Sequence, residues 1–205
     1  MGSRLFTAAG PAAVTALARL GRGIFLDLKF HDIPSTVAGA VAAGARLSGV
    51  RLMTLHALGG GEMLEAARRA LKGISDPPKL LGVTILTSLC AADLRQVGIK
   101  GPLGMSAVRL AKLSQAAGMD GVVASAREAK AIRRACGSDS IILVPGVRPS
   151  WAETKDQARV STPAEAMRAG ADYVVVGRPI TAARDPRDAV RRILDEIASA
   201  LPSRV

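Results

Sequence analysis

The chain has 205 residues, 49% hydrophobic and 22% charged; that supports one well-buried domain and excludes global disorder. Aromatics are 2%, namely three Phe, Trp151 and Tyr173, too few for a base-stacking nucleic-acid platform. The net charge of +11 is mostly arginine in ones and twos, as at Arg68–Arg69, Arg133–Arg134 and Arg191–Arg192, which reads as a solvated basic surface or as attraction for an anionic, phosphorylated substrate.

No apolar run approaches the roughly 18–20 residues of a membrane span, and the opening MGSRLFTAAG has no signal-peptide core. Cys90 and Cys136 form neither a metal cluster nor a disulfide framework. A cytoplasmic protein is expected, with no nucleic-acid or membrane partner.

In chain order, a helical stretch AGPAAVTALARLG (9–21) comes first, then six short apolar, β-branched runs: GIFLDLK (23–29), VRLMTLH (50–56), LLGVTIL (80–86), GVVAS (121–125), IILVPG (141–146) and YVVVG (173–177). Helical patterns fill the intervals, at 33–47, 61–73, 103–118 and 185–201 among others. Gly44, Gly73, Gly118 and Gly170 stand where helices should stop, and Pro163 and Pro186 where helices should begin. Strand alternating with helix predicts parallel strands joined by right-handed crossovers. The architecture is then an open doubly wound sheet or a closed (β/α)8 barrel.

Two observations favour the barrel. No Gly-rich dinucleotide or P-loop fingerprint follows any strand. Polar and charged residues gather at the C-terminal ends of several strands, at Asp27 and Lys29, His56, Thr87, Arg148 and Arg178, where a barrel builds its active site. A complete barrel takes about 250 residues and eight strands, and six runs are present. The expectation is one domain over 1–205, an incomplete barrel whose first two strands are missing.

The most informative run is Ile24–Phe30. Alternation puts Ile24, Leu26, Leu28 and Phe30 on one apolar face and Phe25, Asp27 and Lys29 on the other, towards the barrel interior. An interior Asp–Lys pair rarely stabilises more than hydrophobic residues of similar volume, so its retention points to chemistry. His56 is read equally as a pocket residue or a structural histidine, and His31 as structural. Gly59–Gly61 read as a turn and helix start. Cys90, near Thr87, has no His–Asp arrangement to activate it.

The continuous segment FLDLKFHDIPSTV resembles the signature of the orotidine 5′-phosphate decarboxylase family, Asp-x-Lys-x-x-Asp followed by Ile-Pro-x-Thr, with Ser35 where Asn is commoner. LGVTILTS (81–88), PGVRP (145–149), DQARVSTPAEA (156–166) and VVVGRPI (174–180) are similar to the same family in the same order. The resemblance spans about residues 3 to 201.

It implies removal of CO2 from orotidine 5′-monophosphate to give UMP, with no metal and no organic cofactor. Lys29 matches the proton-donating lysine, and Asp27 the carboxylate beside it. Asp32 matches the aspartate that enters the partner's site in a homodimer with shared active sites, with Ile33 and Thr36 beside it. Thr87 would read the pyrimidine edge and Gln157 would reach over phosphate and base. Arg148, Gly177 and Arg178 would hold the phosphate, in keeping with the barrel phosphate sites after strands seven and eight.

Two rivals stand beside this reading. One is a Mg-dependent sugar-phosphate lyase of the same superfamily, such as hexulose-6-phosphate synthase, which shares the Asp-x-Lys-x-x-Asp strand. The other is an inactive, N-terminally truncated barrel. In the resembled family a strand ending Lys-Val-Gly precedes the segment matching Ser3–Pro11. Met1 is therefore expected to be an internal valine read as a start, and the chain as written to be poorly active and poorly soluble.

Overall fold

The computed structural model describes residues 1–152 and 161–201. Two compact units divide the chain: Met1–Thr84 with Leu110–Val122, and Ile85–Arg109 with Val123–Val205. All six apolar runs form strands.

The first unit starts with α1 (Ser3–Ala18). It is two helical pieces joined across a kink: Gly10 takes a non-helical backbone, with φ 55° and ψ -155°, and Pro11 opens the second piece, where the sequence pattern places its helix. There follow β1 (Ile24–Phe30), α2 (Pro34–Ala45), β2 (Val50–His56), a single 3-10 turn at Ala57–Gly59, α3 (Gly60–Arg69) and β3 (Lys79–Val83). Pairing is parallel, β1 with β2 and β2 with β3. The core lies between this sheet and its helices, where Val14, Leu26, Val41, Met53, Leu55 and Leu64 are at most 1% exposed.

Helix α4 (Ala91–Gln96) lies in the second unit, and α5 (Leu103–Ala116) and β4 (Gly121–Val123) are divided between the units. The second unit continues with α6 (Ala126–Cys136), β5 (Ile141–Pro145), α7 (Pro163–Arg168), β6 (Tyr173–Val175), α8 (Arg178–Thr181) and α9 (Pro186–Ala200). β5 and β6 are parallel. Asp120 N–H, just before β4, donates to Leu80 O in the first unit, and Ala124 N–H, just after it, to Leu143 O in the second. Pro163 and Pro186 open α7 and α9 as expected, where a missing N–H costs nothing.

One expected helix stop is not a stop. Gly44 lies inside α2 and is buried, and a Cβ there would sit 2.4 Å from Met53 Cε. Its missing side chain leaves room for the end of the Met53 side chain. Gly73, Gly118 and Gly170 do take left-handed φ values of 83°, 78° and 102° beyond their helices.

A polar clamp fixes each unit's register. In the first, Arg68 of α3 donates to Gly118 O at 2.6 Å and to Asp120 Oδ2 at 2.6 Å, and that oxygen also accepts Leu80 N–H at 2.9 Å. In the second, Arg133 of α6 donates to Gly170 O at 2.9 Å and Asp172 Oδ2 at 2.6 Å, and that oxygen accepts Ile142 N–H at 2.7 Å. The same device thus ties a helix, a glycine corner and two strand starts twice. It leaves the opposite, C-terminal strand ends free to carry chemistry.

Candidate active site

The charged pair sits at the end of β1. Lys29 Nζ donates to Asp27 Oδ2 at 2.7 Å, with the two side chains 38% and 26% exposed. It is a half-buried pair that keeps one side open to solvent.

The strict alternation expected for Ile24–Phe30 breaks at this point. Leu26 pairs with Met53, and the next pairing joins Phe30 to Leu55. Asp27, Leu28 and Lys29 therefore span the ladder opposite Thr54 alone, a bulge that re-aims the strand end. Lys29 itself has φ 50°, a left-handed conformation that L side chains seldom adopt. Leu28 and Phe30 still pack against the apolar core, by way of the bulge and not by a regular pleat. On the outer edge of β1, Asp27 N–H donates to Met1 O at 2.9 Å.

Thr54, unmarked by the sequence reading, is the third member of the group. It is fully buried. Its hydroxyl accepts Lys29 N–H at 3.0 Å and donates to Asp27 Oδ1 at 2.8 Å. The available signal was a lone hydroxyl in an otherwise apolar strand interior, between Met53 and Leu55.

His56 ends β2 and stacks on His31, with ring centroids 5.2 Å apart and planes 23° apart. Burial holds the His56 pKa below the usual histidine value, and the His31 and Lys29 charges lower it further. Its Nδ1 accepts Leu58 N–H at 3.4 Å, which suits the neutral ring. Asp32 is exposed, and its Oδ1 accepts Ile33 N–H at 2.6 Å. With His31, Ile33, Pro34, Leu58 and Gly59 it lines an open groove, and Ile33 is 63% exposed. Thr36 is exposed in the first turn of α2.

The second unit holds the other expected residues. Arg148 follows β5 and is only 7% exposed; among the described residues its guanidinium has no carboxylate partner. Gly177 and Arg178 lie at the start of α8, both exposed. Arg148, Trp151, Ala152, Arg178, Pro179, Ala182 and Ala183 line a cavity of about 380 Å³. Two guanidinium groups on a concave surface suit a phosphate, whose oxygens match their planar forks. Trp151 also stacks under the Arg192 guanidinium, 4.3 Å from its ring centroid. Thr87 is half-buried in the loop after β3. Gln157 lies outside the described residues. Cys90 is exposed, and its N–H donates to Asp93 Oδ2 at the start of α4.

Comparison with known proteins points to one family. A curated orotidine 5′-phosphate decarboxylase from Trichlorobacter lovleyi is 54% identical over 98% of this chain and 84% of its own length. One from Geobacter sulfurreducens is 56% identical over 96% of this chain and 83% of its own. The crystal structure of orotidine 5′-phosphate decarboxylase from Lactobacillus acidophilus superposes with a TM-score of 0.84 at 38% identity, covering 96% of this chain and 85% of that one. The shared fold class is the (β/α)8 barrel, of which six strands lie among the described residues. The profile of the orotidine 5′-phosphate decarboxylase / HUMPS family matches residues 1–193, and the chain belongs to that family.

Proposed function

We propose that this chain decarboxylates orotidine 5′-monophosphate to UMP and CO2 in pyrimidine biosynthesis. The observation that carries the reading is the Asp27–Lys29 ion pair at a bulged strand end, in a chain more than half identical to curated decarboxylases. Cleavage of the bond from C6 to the carboxylate leaves an electron pair on C6 with no adjacent carbonyl to spread it. A fixed positive charge held against C6 stabilises that pair as it forms. Lys29 supplies the charge and then the proton: CO2 leaves, C6 takes a proton from Nζ, and Lys29 regains one from solvent. Asp27 orients the ammonium through its ion pair.

Further roles follow the family pattern residue by residue. Asp32, Ile33 and Thr36 are assigned to the partner's site in a homodimer, which their exposure supports. Arg148, Gly177 and Arg178 are assigned to the phosphate, which the arginine-lined cavity supports. Thr87 and Gln157 are assigned to the base and the phosphate lid. The protein acts as one catalytic domain over 1–205, in the cytoplasm, without metal or organic cofactor. Among the described residues no helix is long and apolar enough to cross a membrane.

The test joins turnover of orotidine 5′-monophosphate with thermal shift, in which a ligand of the folded state raises Tm. Turnover above the uncatalysed rate, even if slow, together with stabilisation by UMP is expected. Stabilisation by a pentulose phosphate with Mg2+, and none by UMP, moves the chain to the sugar-phosphate branch.

A further inference from the structure

We infer that Thr54 is a positioning residue for the Asp27–Lys29 pair, and that its hydroxyl, not its bulk, sets the lysine where the reaction needs it. This rests on the reading of Asp27 and Lys29 as the catalytic pair.

The bulge creates the need. Between the pairings Leu26–Met53 and Phe30–Leu55 the ladder cannot offer a backbone partner to every residue of β1. Lys29 N–H is one donor left over, and it is met by the Thr54 hydroxyl oxygen at 3.0 Å. The hydroxyl has a single hydrogen, and that goes to Asp27 Oδ1 at 2.8 Å. Asp27 Oδ2 is already taken by Lys29 Nζ at 2.7 Å. The three residues thus close a ring of three hydrogen bonds: hydroxyl to carboxylate, ammonium to the same carboxylate, and lysine backbone to hydroxyl. Lys29 is held at both ends, by its backbone and by its tip.

Packing does not account for the hydroxyl. Thr54 is fully buried, and valine, nearly the same shape without the hydroxyl, would fill the same volume. A buried hydroxyl costs desolvation unless both its donor and acceptor capacities are used. Here both are used, and both go to the charged pair. The ring also explains how Lys29 stays at φ 50°, a conformation that persists only where its surroundings over-determine it.

The experiment compares the full chain with Thr54→Val, which keeps shape and removes the hydroxyl, and Thr54→Ser, which keeps the hydroxyl. Misplacing a catalytic group by about 1 Å can cost on the order of 100-fold. Thr54→Val is therefore expected to lower kcat by about 10–100-fold while KM and the Kd for UMP change less than about 3-fold. Thr54→Ser should stay within about 3-fold of the original kcat. A structural role alone would lower stability in the valine variant without this split between kcat and KM.

Amide hydrogen exchange at Lys29 supplies a readout independent of turnover. It should speed up at least about 10-fold in Thr54→Val and return to its original rate in Thr54→Ser. Full kcat in the valine variant, equal loss in both variants, or unchanged Lys29 exchange each overturns the inference. A chain that neither binds UMP nor turns over substrate overturns the functional reading instead, and Lys29 exchange then still decides the role of Thr54.

Discussion

At Lys29 three demands meet in one residue: a left-handed backbone, an ion pair to Asp27 and a backbone bond to Thr54. Such conformations cost about 1–3 kcal/mol and are kept where a geometry is needed. The proposed phosphate end is simpler, because a guanidinium there would act by charge and by its fork. Arg178→Ala is expected to lower kcat/KM by about 2–4 kcal/mol, measured with orotidine 5′-monophosphate. Part of the loss should fall on kcat, since binding energy at a remote phosphate is also used in the transition state; an unchanged kcat/KM removes Arg178 from the site. His56 gives a pH signature. Its folded-state pKa lies below the ordinary value because of burial, with His31 and Lys29 adding to the effect. The unfolded chain then binds the proton more readily, so stability falls as pH drops below about 6.5. Tm measured at pH 7.5 and 5.5 should fall further for the original chain than for His56→Asn, whose side chain can still accept Leu58 N–H but does not titrate.

Among the elements, the two arginine clamps hold strand starts through near-identical sequence. Ala117-Gly118-Met119-Asp120-Gly121-Val122-Val123 and Ala169-Gly170-Ala171-Asp172-Tyr173-Val174-Val175 place glycine, aspartate and the valine pair in the same order. Each aspartate meets its arginine and the N–H of the preceding strand. Arg68→Ala should cost about 2–3 kcal/mol in urea unfolding and Arg133→Ala, whose Asp172 partner is exposed, about 1–2 kcal/mol, as expected for charged hydrogen bonds. The two losses should add, since the clamps share no partner. Burial pushes the Asp120 carboxyl up, but the Leu80 N–H, Arg68 and Lys79 outweigh it and leave the pKa below the usual value. That contribution is complete above the ordinary aspartate range and is lost as pH falls below it, through the lowered folded-state value. Asp120→Asn should flatten this acid limb.

The same elements mark how far the sequence could be read. Six strands and the charged pair were legible because apolar runs and alternation are local signals. The bulge opposite Thr54 was not, since a period of two assumes one partner per residue across the ladder. Gly44 was misread because a glycine near a helix end fits a stop as well as a close approach, and only Met53 across the interface decides between them.

For the molecule as a whole, the proposed assignment of Asp32 to the partner's site has a direct consequence for mixtures. A Lys29→Ala chain and an Asp32→Ala chain, each inactive alone, should recover activity after subunit exchange, because one of the two sites in the heterodimer regains both residues. No recovery after verified exchange counts against shared sites. A last consequence is optical. The chain has a single tryptophan, and Trp151 lies on the wall of the cavity that holds Arg148 and Arg178, with the Arg192 guanidinium against its ring. All of the indole emission of the protein therefore originates beside the surface proposed to hold the phosphate, and a cation on the ring face is sensitive to any new negative charge nearby. Titration with UMP or inorganic phosphate should shift the intensity of that emission without any attached dye, and Trp151→Phe should leave the titration dark. On the proposed phosphate assignment, the protein carries its own fluorescent gauge of phosphate occupancy.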